Sequence, residues 1–164
     1  MSPSSASPSN VQALWDRLSS WPGGRWLFTV LLLRRVPYSG SIRPRVVELA
    51  RGRCRVRMTD RRAVRNHLRS IHAVALANLG ELATGLAMVG ALPTTVRGIL
   101  VGLEISFHKK ARGRLEATCA CDVPHVTVDL EQAVRAEIRD EAGDVVATVT
   151  ARWRLGPVPT GDAP

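Results

Sequence analysis

Lysine and aromatic residues are scarce in this chain of 164 residues. The only lysines are Lys109 and Lys110, so arginine supplies 21 of the 23 basic side chains. The net charge of +9 therefore reflects either an arginine-rich composition or attraction to a polyanion such as nucleic acid, a membrane surface or a phosphorylated cofactor. Aromatic residues make up 4% of the chain, too few for a surface that stacks bases, and zinc-finger spacing is missing. Nucleic acid is thus the weakest of these partners.

Cysteine is also scarce, which argues against a disulfide framework. Cys54, Cys119 and Cys121 lie in alternating strand patterns on the same side as neighbouring apolar residues. An odd number of buried cysteines predicts free thiols in a reducing compartment. Cys119 and Cys121 have C-x-C spacing without a second pair of ligands, so we expect no zinc site or other metal.

Long hydrophobic runs that could span a membrane are missing from the N-terminal part of the chain. The apolar run Trp26–Leu33 is too short to cross a bilayer. Residues 1–10 are rich in Ser and Pro and uncharged, which predicts a disordered lead rather than a signal peptide. Residues 156–164 are rich in Pro and Gly, which predicts a flexible tail. We therefore expect one soluble, cytoplasmic domain without stable membrane insertion.

Hydrophobic periodicity predicts two N-terminal helices within residues 11–36 and a domain over residues 37–155. The first helix, Val11–Ser20, ends before Pro22. The second, Arg25–Arg35, either docks on the domain or forms a lid over an apolar tunnel. Joined by turns at 51–52, 110–113 and 140–144, the predicted strands are Val46–Leu49, Arg53–Thr59, Val101–Phe107, Arg114–Cys121, Ala133–Arg139 and Val145–Arg154.

A helix predicted over Ile71–Val89 is apolar on every side and carries a single carboxylate, Glu81. Such a helix is buried, and the order of elements leaves only a curled sheet to cover it, which predicts an α+β fold with a sheet wrapped round a central helix. Small residues such as Gly80 and Gly85 permit close approach. A buried lone carboxylate needs a partner or a raised pKa, so Glu81 is a candidate for chemistry.

The spacing of Asn66, His72 and Glu81 resembles a motif of acyl-CoA thioesterases of the hotdog superfamily. In the 4-hydroxybenzoyl-CoA and phenylacetate-pathway types, an Asn or Gln precedes a His-Gly-Gly by six positions and an acidic residue follows that His by nine, as here. Ala73 and Val74 replace the family's glycines. Over roughly residues 25–155 the sequence is most similar to a branch of thioesterase-like proteins carried as a domain of unknown function.

The resemblance implies a hotdog fold and hydrolysis of an acyl thioester, as in fatty acid metabolism. It implies a backbone N–H of Ala73 or Val74 that stabilises the oxyanion, and Glu81 as general base or nucleophile. Asn66 would orient water or the thioester, and Thr84 would support the carboxylate. The thioester of coenzyme A, or of an acyl carrier, would be the substrate, and no other cofactor is expected.

Helix geometry adds a constraint on these roles. Glu81 lies about 12 Å along the helix from Ala73 at 1.5 Å per residue, so one thioester cannot touch both in one subunit. The acid must then come from a neighbouring chain. This agrees with the homodimer that the resemblance implies, with two sites at its interface and possible pairing into tetramers. Asn78 and Glu81 would face that interface.

Each candidate also has a purely structural interpretation. His72 can bond backbone at the helix start, Asn66 can satisfy a turn, Asn78 can bond across the interface, and Glu81 can pair with an arginine. Lys109, Lys110 and Arg112 form either a solvated turn or a grip on the phosphates of coenzyme A or a pantetheine arm.

Two functions therefore follow from the sequence. One is an acyl-CoA thioesterase, and the other is a non-catalytic protein that binds acyl groups or acyl-CoA and has lost turnover with the glycines. The apolar segment Trp26–Leu33 favours a long aliphatic acyl chain in either case.

Overall fold

The computed structural model describes residues 9–158. Within these residues, three α-helices and six strands follow one another. They are α1 (Asn10–Leu18), α2 (Gly24–Arg35), β1 (Arg45–Ala50), β2 (Arg53–Thr59), α3 (Ala73–Met88), β3 (Val96–Phe107), β4 (Arg114–Ala120), β5 (Leu130–Arg139) and β6 (Val145–Pro157).

The six strands form one antiparallel sheet in the order β1-β2-β4-β5-β6-β3. Helix α3 packs against all six of them, which requires the sheet to curve round the helix. The predicted α+β architecture, a sheet wrapped on one central helix, is confirmed. With the turn that follows it, α3 is long and apolar enough to cross a membrane, but 67% of that segment is buried in the molecule.

Glycine permits the close contact between α3 and the sheet. A Cβ on Gly80 would lie 2.3 Å from Cγ2 of Val149 on β6, so no larger residue fits there. Inward-facing side chains of every strand complete the core, with Val46, Val56, Leu115, Ile138 and Val149 fully buried. The sequence pattern therefore predicted both the burial of α3 and the reason for its small residues.

Helix α2 covers the β1 edge of the sheet. The backbone N–H of Val46 donates to Oγ1 of Thr29 at 3.1 Å, and Nη1 of Arg25 donates to the carbonyl of Val47 at 3.1 Å. Trp15 of α1 packs edge-on against Phe28 of α2, with ring centroids 5.0 Å apart. The two N-terminal helices thus dock on the domain and block one edge against further strand pairing.

Strand β3 forms the opposite edge and differs from the prediction. It begins at Val96 rather than Val101 and pairs with β6, not with β4. The connection to β4 crosses the start of α3, where the carbonyl of Ala111 accepts hydrogen bonds from Ile71 N at 2.8 Å and Ser70 Oγ at 3.0 Å. This crossing separates two strands that are neighbours in sequence.

Both termini are more ordered than predicted where the structure describes them. Asn10 begins α1, and the Ser9 hydroxyl accepts from Gln12 N at 3.0 Å as its N-cap. Gly156 and Pro157 belong to β6 and pair with Arg97 and Val96, which extends the strand into the expected tail. The remainder of the lead and of the tail lies outside the described residues.

Candidate active site

The first turn of α3 presents one free backbone donor. The His72 ring is the N-cap, since its Nδ1 accepts from Val74 N at 3.1 Å. The N–H groups of Ala75 and Leu76 both donate to the carbonyl of His72. Ala73 N–H has no acceptor within residues 9–158. Of the two predicted oxyanion donors, Ala73 is therefore the available one, at the positive end of the helix dipole.

The capping role of His72 can be tested by stability. Replacing His72 with Ala removes the acceptor for Val74 N and is expected to cost about 1 kcal/mol. In a chain of this length the melting temperature should then fall by about 2–4 °C. Asparagine is a good N-cap, so His72→Asn should retain most of the stability. Equal losses in calorimetric melts of both variants would contradict this role.

Asn66 organises the loop before α3 through its side-chain carbonyl. Oδ1 accepts hydrogen bonds from Leu68 N at 2.9 Å and Ser70 N at 3.1 Å, which is the turn contact that the sequence left open. Its Nδ2 group has no acceptor in the part of the chain that the structure describes. Asn66 and Ala73 line one depression of about 370 Å³, the N-terminal depression, together with Phe107 and Lys110.

Asn66→Asp separates the two halves of that amide. Aspartate keeps an oxygen for both turn bonds but replaces the Nδ2 donor with negative charge. If Nδ2 binds a thioester oxygen, turnover should fall at least about tenfold, because donors to a developing oxyanion contribute this much or more. The melting temperature should change little. Unchanged turnover would limit Asn66 to the turn.

Glu81 lies in a different place, the Glu81 cavity. This space of about 510 Å³ has mostly apolar walls, among them Leu32, Val36 and Leu86. Burial raises the pKa of the Glu81 carboxyl. Within residues 9–158 no cation forms a salt bridge with it. In this part of the chain, the carboxyl therefore has no arginine partner of the kind that the structural interpretation of Glu81 required.

The raised pKa predicts an effect on stability. Between the ordinary carboxyl pKa, about 4.3, and the raised value, the folded protein binds more protons than the unfolded chain. Stability therefore falls as pH rises through this interval. Glu81→Gln removes the penalty, so the variant should melt above wild type at pH 8 and no higher than wild type at pH 4. Calorimetry that gave the same difference at both pH values would contradict burial of the ionised form.

One stripe of α3 remains accessible along the helix, whereas the other sides are buried after the exposed Val74 in the first turn. It consists of residues four positions apart, which lie along one face of a helix. Its members are Ala73, Ala77, Glu81 and Gly85, and Val89 continues it directly after the helix. The stripe joins the N-terminal depression at one end to the Glu81 cavity at the other.

Two polar residues of α3 contact their own chain. Nδ2 of Asn78 donates to the Tyr38 carbonyl at 3.4 Å, which ties α3 to the loop after α2. The Thr84 side chain is fully buried, and its hydroxyl donates to the backbone carbonyl of Glu81 at 2.9 Å. The Thr84 hydroxyl is therefore bonded to the helix backbone, whereas the sequence predicted that it would support the Glu81 carboxylate.

The basic loop after β3 divides into paired and unpaired cations. Lys109 Nζ contacts Asp140 at 2.7 Å and Asp144 at 2.5 Å, and these carboxylates raise its pKa. Arg112 Nε donates to the Arg69 carbonyl at 3.3 Å. Lys110 has no salt bridge within the described residues. Lys110 and the outer nitrogens of Arg112 thus remain for an anionic ligand, whereas Lys109 stabilises the β5–β6 turn.

The structure brings Asn66, Ala73 and Lys110 together but leaves Glu81 in a separate cavity of the same subunit. Sequence reasoning missed Trp153 of β6, which lines the Glu81 cavity and contacts Gly85. Its inward position in β6 follows from the alternation of that strand, but nothing in the sequence placed it beside Glu81. Residues 9–158 contain no group of three or more His, Cys, Asp or Glu side chains arranged to hold a metal ion.

Comparisons with known proteins identify a matching family and similar folds. The model of a family described as Domain of unknown function (DUF4442) matches residues 24–155. No curated protein matches the sequence. The structure of genomics target APC5556 is 26% identical, with a TM-score of 0.76, over 90% of this chain and 98% of the other.

Two further solved structures carry the word thioesterase in their descriptions. PA5026 from Pseudomonas aeruginosa, a protein of unknown function described as a probable thioesterase, is 23% identical with a TM-score of 0.71, over 93% of this chain and 99% of that one. A thioesterase family protein from Silicibacter pomeroyi is 19% identical with a TM-score of 0.68, over 79% and 96%. The fold is therefore the hotdog fold that the sequence predicted.

Proposed function

The chain belongs to the DUF4442 family, and from this premise we propose that it is an acyl-CoA thioesterase with Glu81 as its general base or nucleophile. The observation that carries the proposal is a carboxylate with a raised pKa and no cationic partner among the described residues, held in an apolar cavity. A carboxyl group whose pKa lies closer to neutral is a better proton acceptor during turnover. A carboxylate retained only for stability would more often be paired.

We further propose a homodimer formed through β3. Its twelve-residue edge has no strand beside it other than β6 in the described part of the chain, whereas α2 covers the β1 edge. Leu103 and Phe107 pair with inward-facing residues of β6, yet they are 42% and 52% exposed. An antiparallel second copy of β3 would extend the sheet and cover these side chains.

The same dimer would complete the catalytic site. Helices α3 of the two subunits would lie antiparallel along their accessible stripes, which brings Glu81 of the partner subunit toward Ala73. The thioester carbonyl oxygen would accept hydrogen bonds from Ala73 N–H and Asn66 Nδ2. The partner's Glu81 would take a proton from water as the water oxygen bonds to the carbonyl carbon.

The reaction would then end with loss of the thiol. The carbon–sulfur bond breaks, the carboxylic acid forms, and the proton held by the glutamate passes to the leaving thiolate. In the nucleophilic alternative, the carboxylate itself attacks the carbonyl carbon, the carbon–sulfur bond breaks and the thiolate leaves. Water then hydrolyses the resulting mixed anhydride and supplies the proton that the thiolate takes up. Both routes consume one water and need no group beyond the substrate.

Substrate binding would use side chains of the Glu81 cavity and of the loop beside the N-terminal depression. The apolar walls of the Glu81 cavity suit an aliphatic chain. It is about three times the size of a cavity of roughly 150 Å³ that holds benzene. Lys110 and Arg112 would contact the phosphates of coenzyme A. Either coenzyme A or a carrier-bound pantetheine could present the thioester to this site.

The direct test is turnover of a panel of aliphatic and aromatic acyl-CoAs, followed by the release of free thiol. Wild-type protein is expected to hydrolyse at least one aliphatic acyl-CoA, with kcat/KM that increases with chain length until the cavity is filled. Binding of acyl-CoA without turnover at any chain length would favour the non-catalytic alternative, in which Ala73 and Val74 restrict the site.

A further inference from the structure

The hairpin of α1 and α2 exposes large apolar side chains on the outside of the molecule. Trp21, Trp26 and Leu27 are 69%, 60% and 40% exposed. Helix α2 buries Phe28 and Leu32 on its inner side, so it is apolar on both sides. A cluster of exposed tryptophan and leucine on one helical hairpin is typical of a docking surface rather than of ordinary solvent contact.

The charged side chains of this hairpin are almost all positive. Residues 10–35 contain four arginines and one acidic residue, Asp16. Arg25 has a structural role, because its guanidinium lies 6.0 Å from the centre of the Trp15 ring and bonds the Val47 carbonyl. Arg17, Arg34 and Arg35 make no salt bridge or side-chain hydrogen bond within residues 9–158. We call these three arginines with Trp21, Trp26 and Leu27 the hairpin surface.

A groove between α1 and α2 combines the same two properties. It has a volume of about 440 Å³. Its walls include Leu14, Phe28 and Leu31, and Arg34 and Arg35 also line it. Apolar walls beside two guanidinium groups match an amphiphile with a hydrocarbon chain and an anionic head group.

We propose that the hairpin surface docks the protein on a lipid bilayer with anionic head groups. Tryptophan rings partition to the boundary between head groups and hydrocarbon, and arginines beside them attract anionic lipid. A second copy of this chain is a poorer occupant, because a symmetric contact would oppose the three arginines of the hairpin surface to three others with only Asp16 from each side. Charge complementarity therefore selects the membrane.

Docking here would also place the bilayer beside the Glu81 cavity. Val36 and Tyr38 follow α2 directly, are exposed, and line that cavity. An acyl chain could then reach the cavity from the bilayer along this loop. The docking itself does not depend on hydrolysis and can be tested without an enzyme assay.

The experiment is sedimentation of the full chain with vesicles of phosphatidylcholine alone or with phosphatidylglycerol added. We expect binding to the anionic vesicles and at least about tenfold weaker binding to the neutral ones, with loss at high salt. Each of the substitutions Arg17→Gln, Arg34→Gln and Arg35→Gln should weaken binding about fivefold. Trp21→Ser with Trp26→Ser should weaken it at least about tenfold.

Matched controls separate this surface from the rest of the molecule. Val128→Ser removes an exposed apolar side chain and Arg53→Gln an exposed arginine elsewhere, and both should bind like wild type. Circular dichroism establishes that each variant is folded. Wild type that ignores anionic vesicles, or hairpin variants that bind as well as the controls, would overturn the proposal. A change of oligomeric mass in the tryptophan variant without vesicle binding by wild type would instead assign the surface to a second copy.

Discussion

Replacing Glu81 with glutamine is expected to lower kcat/KM for acyl-CoA by about 10³-fold while the protein remains folded. Glutamine has nearly the same shape as glutamate but cannot accept a proton from water or form an anhydride. A positioned general base typically contributes about 10²–10⁴-fold to the rate, and this expectation lies within that range. The rate of thiol release from one acyl-CoA measures the effect. Glu141→Gln is the control, because Glu141 is an exposed carboxylate outside the site.

The dependence of the wild-type rate on pH is a second test of the role of Glu81. Because burial raises the pKa of Glu81, the rate should increase with pH through a value above that of an ordinary carboxyl group. The residual activity of Glu81→Gln should lack this step. Turnover that is the same in wild type and variant would remove Glu81 from the mechanism, whatever the pH profile.

Replacing Leu103 with glutamate is expected to convert the proposed dimer to monomers and to abolish turnover with it. Leu103 lies on the inner side of the sheet, opposite the buried Ala151 of β6, but α3 does not cover it fully. In the proposed dimer this position is buried, and an unpaired carboxylate there would be severely unfavourable. The dissociation constant should rise at least about 100-fold, which light scattering over a range of protein concentrations measures.

The control for this variant is Val128→Glu. It introduces the same charge at an exposed apolar residue outside the proposed interface, so both mass and activity should remain those of wild type. Leu103→Glu that stays dimeric, or a wild type that is monomeric at all concentrations yet active, would contradict an interface at β3.

The buried helix and its single carboxylate were predictable from the sequence because their signals are local. A helix that is apolar on every side must be covered, and one with Gly80 and Gly85 can approach a sheet closely. The order of strands round that helix then left only a wrapped sheet. His72 at the start of α3 could likewise be recognised as a possible cap.

The place of β3 was not predictable, because it depends on contacts between distant segments. Strands β3 and β4 are neighbours in sequence with a short basic loop between them, which is typical of a hairpin. The bonds of Ile71 and Ser70 to Ala111 pull this loop across the start of α3 instead. The free edge that results, and with it the exposure of Leu103, appears only in three dimensions.

The side-chain hydrogen bonds near the site were also not predictable from the sequence. The motif indicates that Asn66 and Thr84 are polar residues near the site, but it does not indicate which atoms are already used. Oδ1 of Asn66 is committed to the loop and the Thr84 hydroxyl to the backbone. In the proposed site, these contacts leave Asn66 Nδ2 and Ala73 N–H as the donors for the thioester carbonyl.

Subunit mixing tests most directly whether each site is shared between two chains. Glu81→Gln and Asn66→Asp are each expected to be nearly inactive as homodimers. In a mixed dimer, both substitutions fall in one site and the other site is intact, so random assembly should restore about one quarter of wild-type turnover. Mixed dimers that form, as shown by differently tagged subunits, yet remain as inactive as the parents would contradict a site built from two subunits.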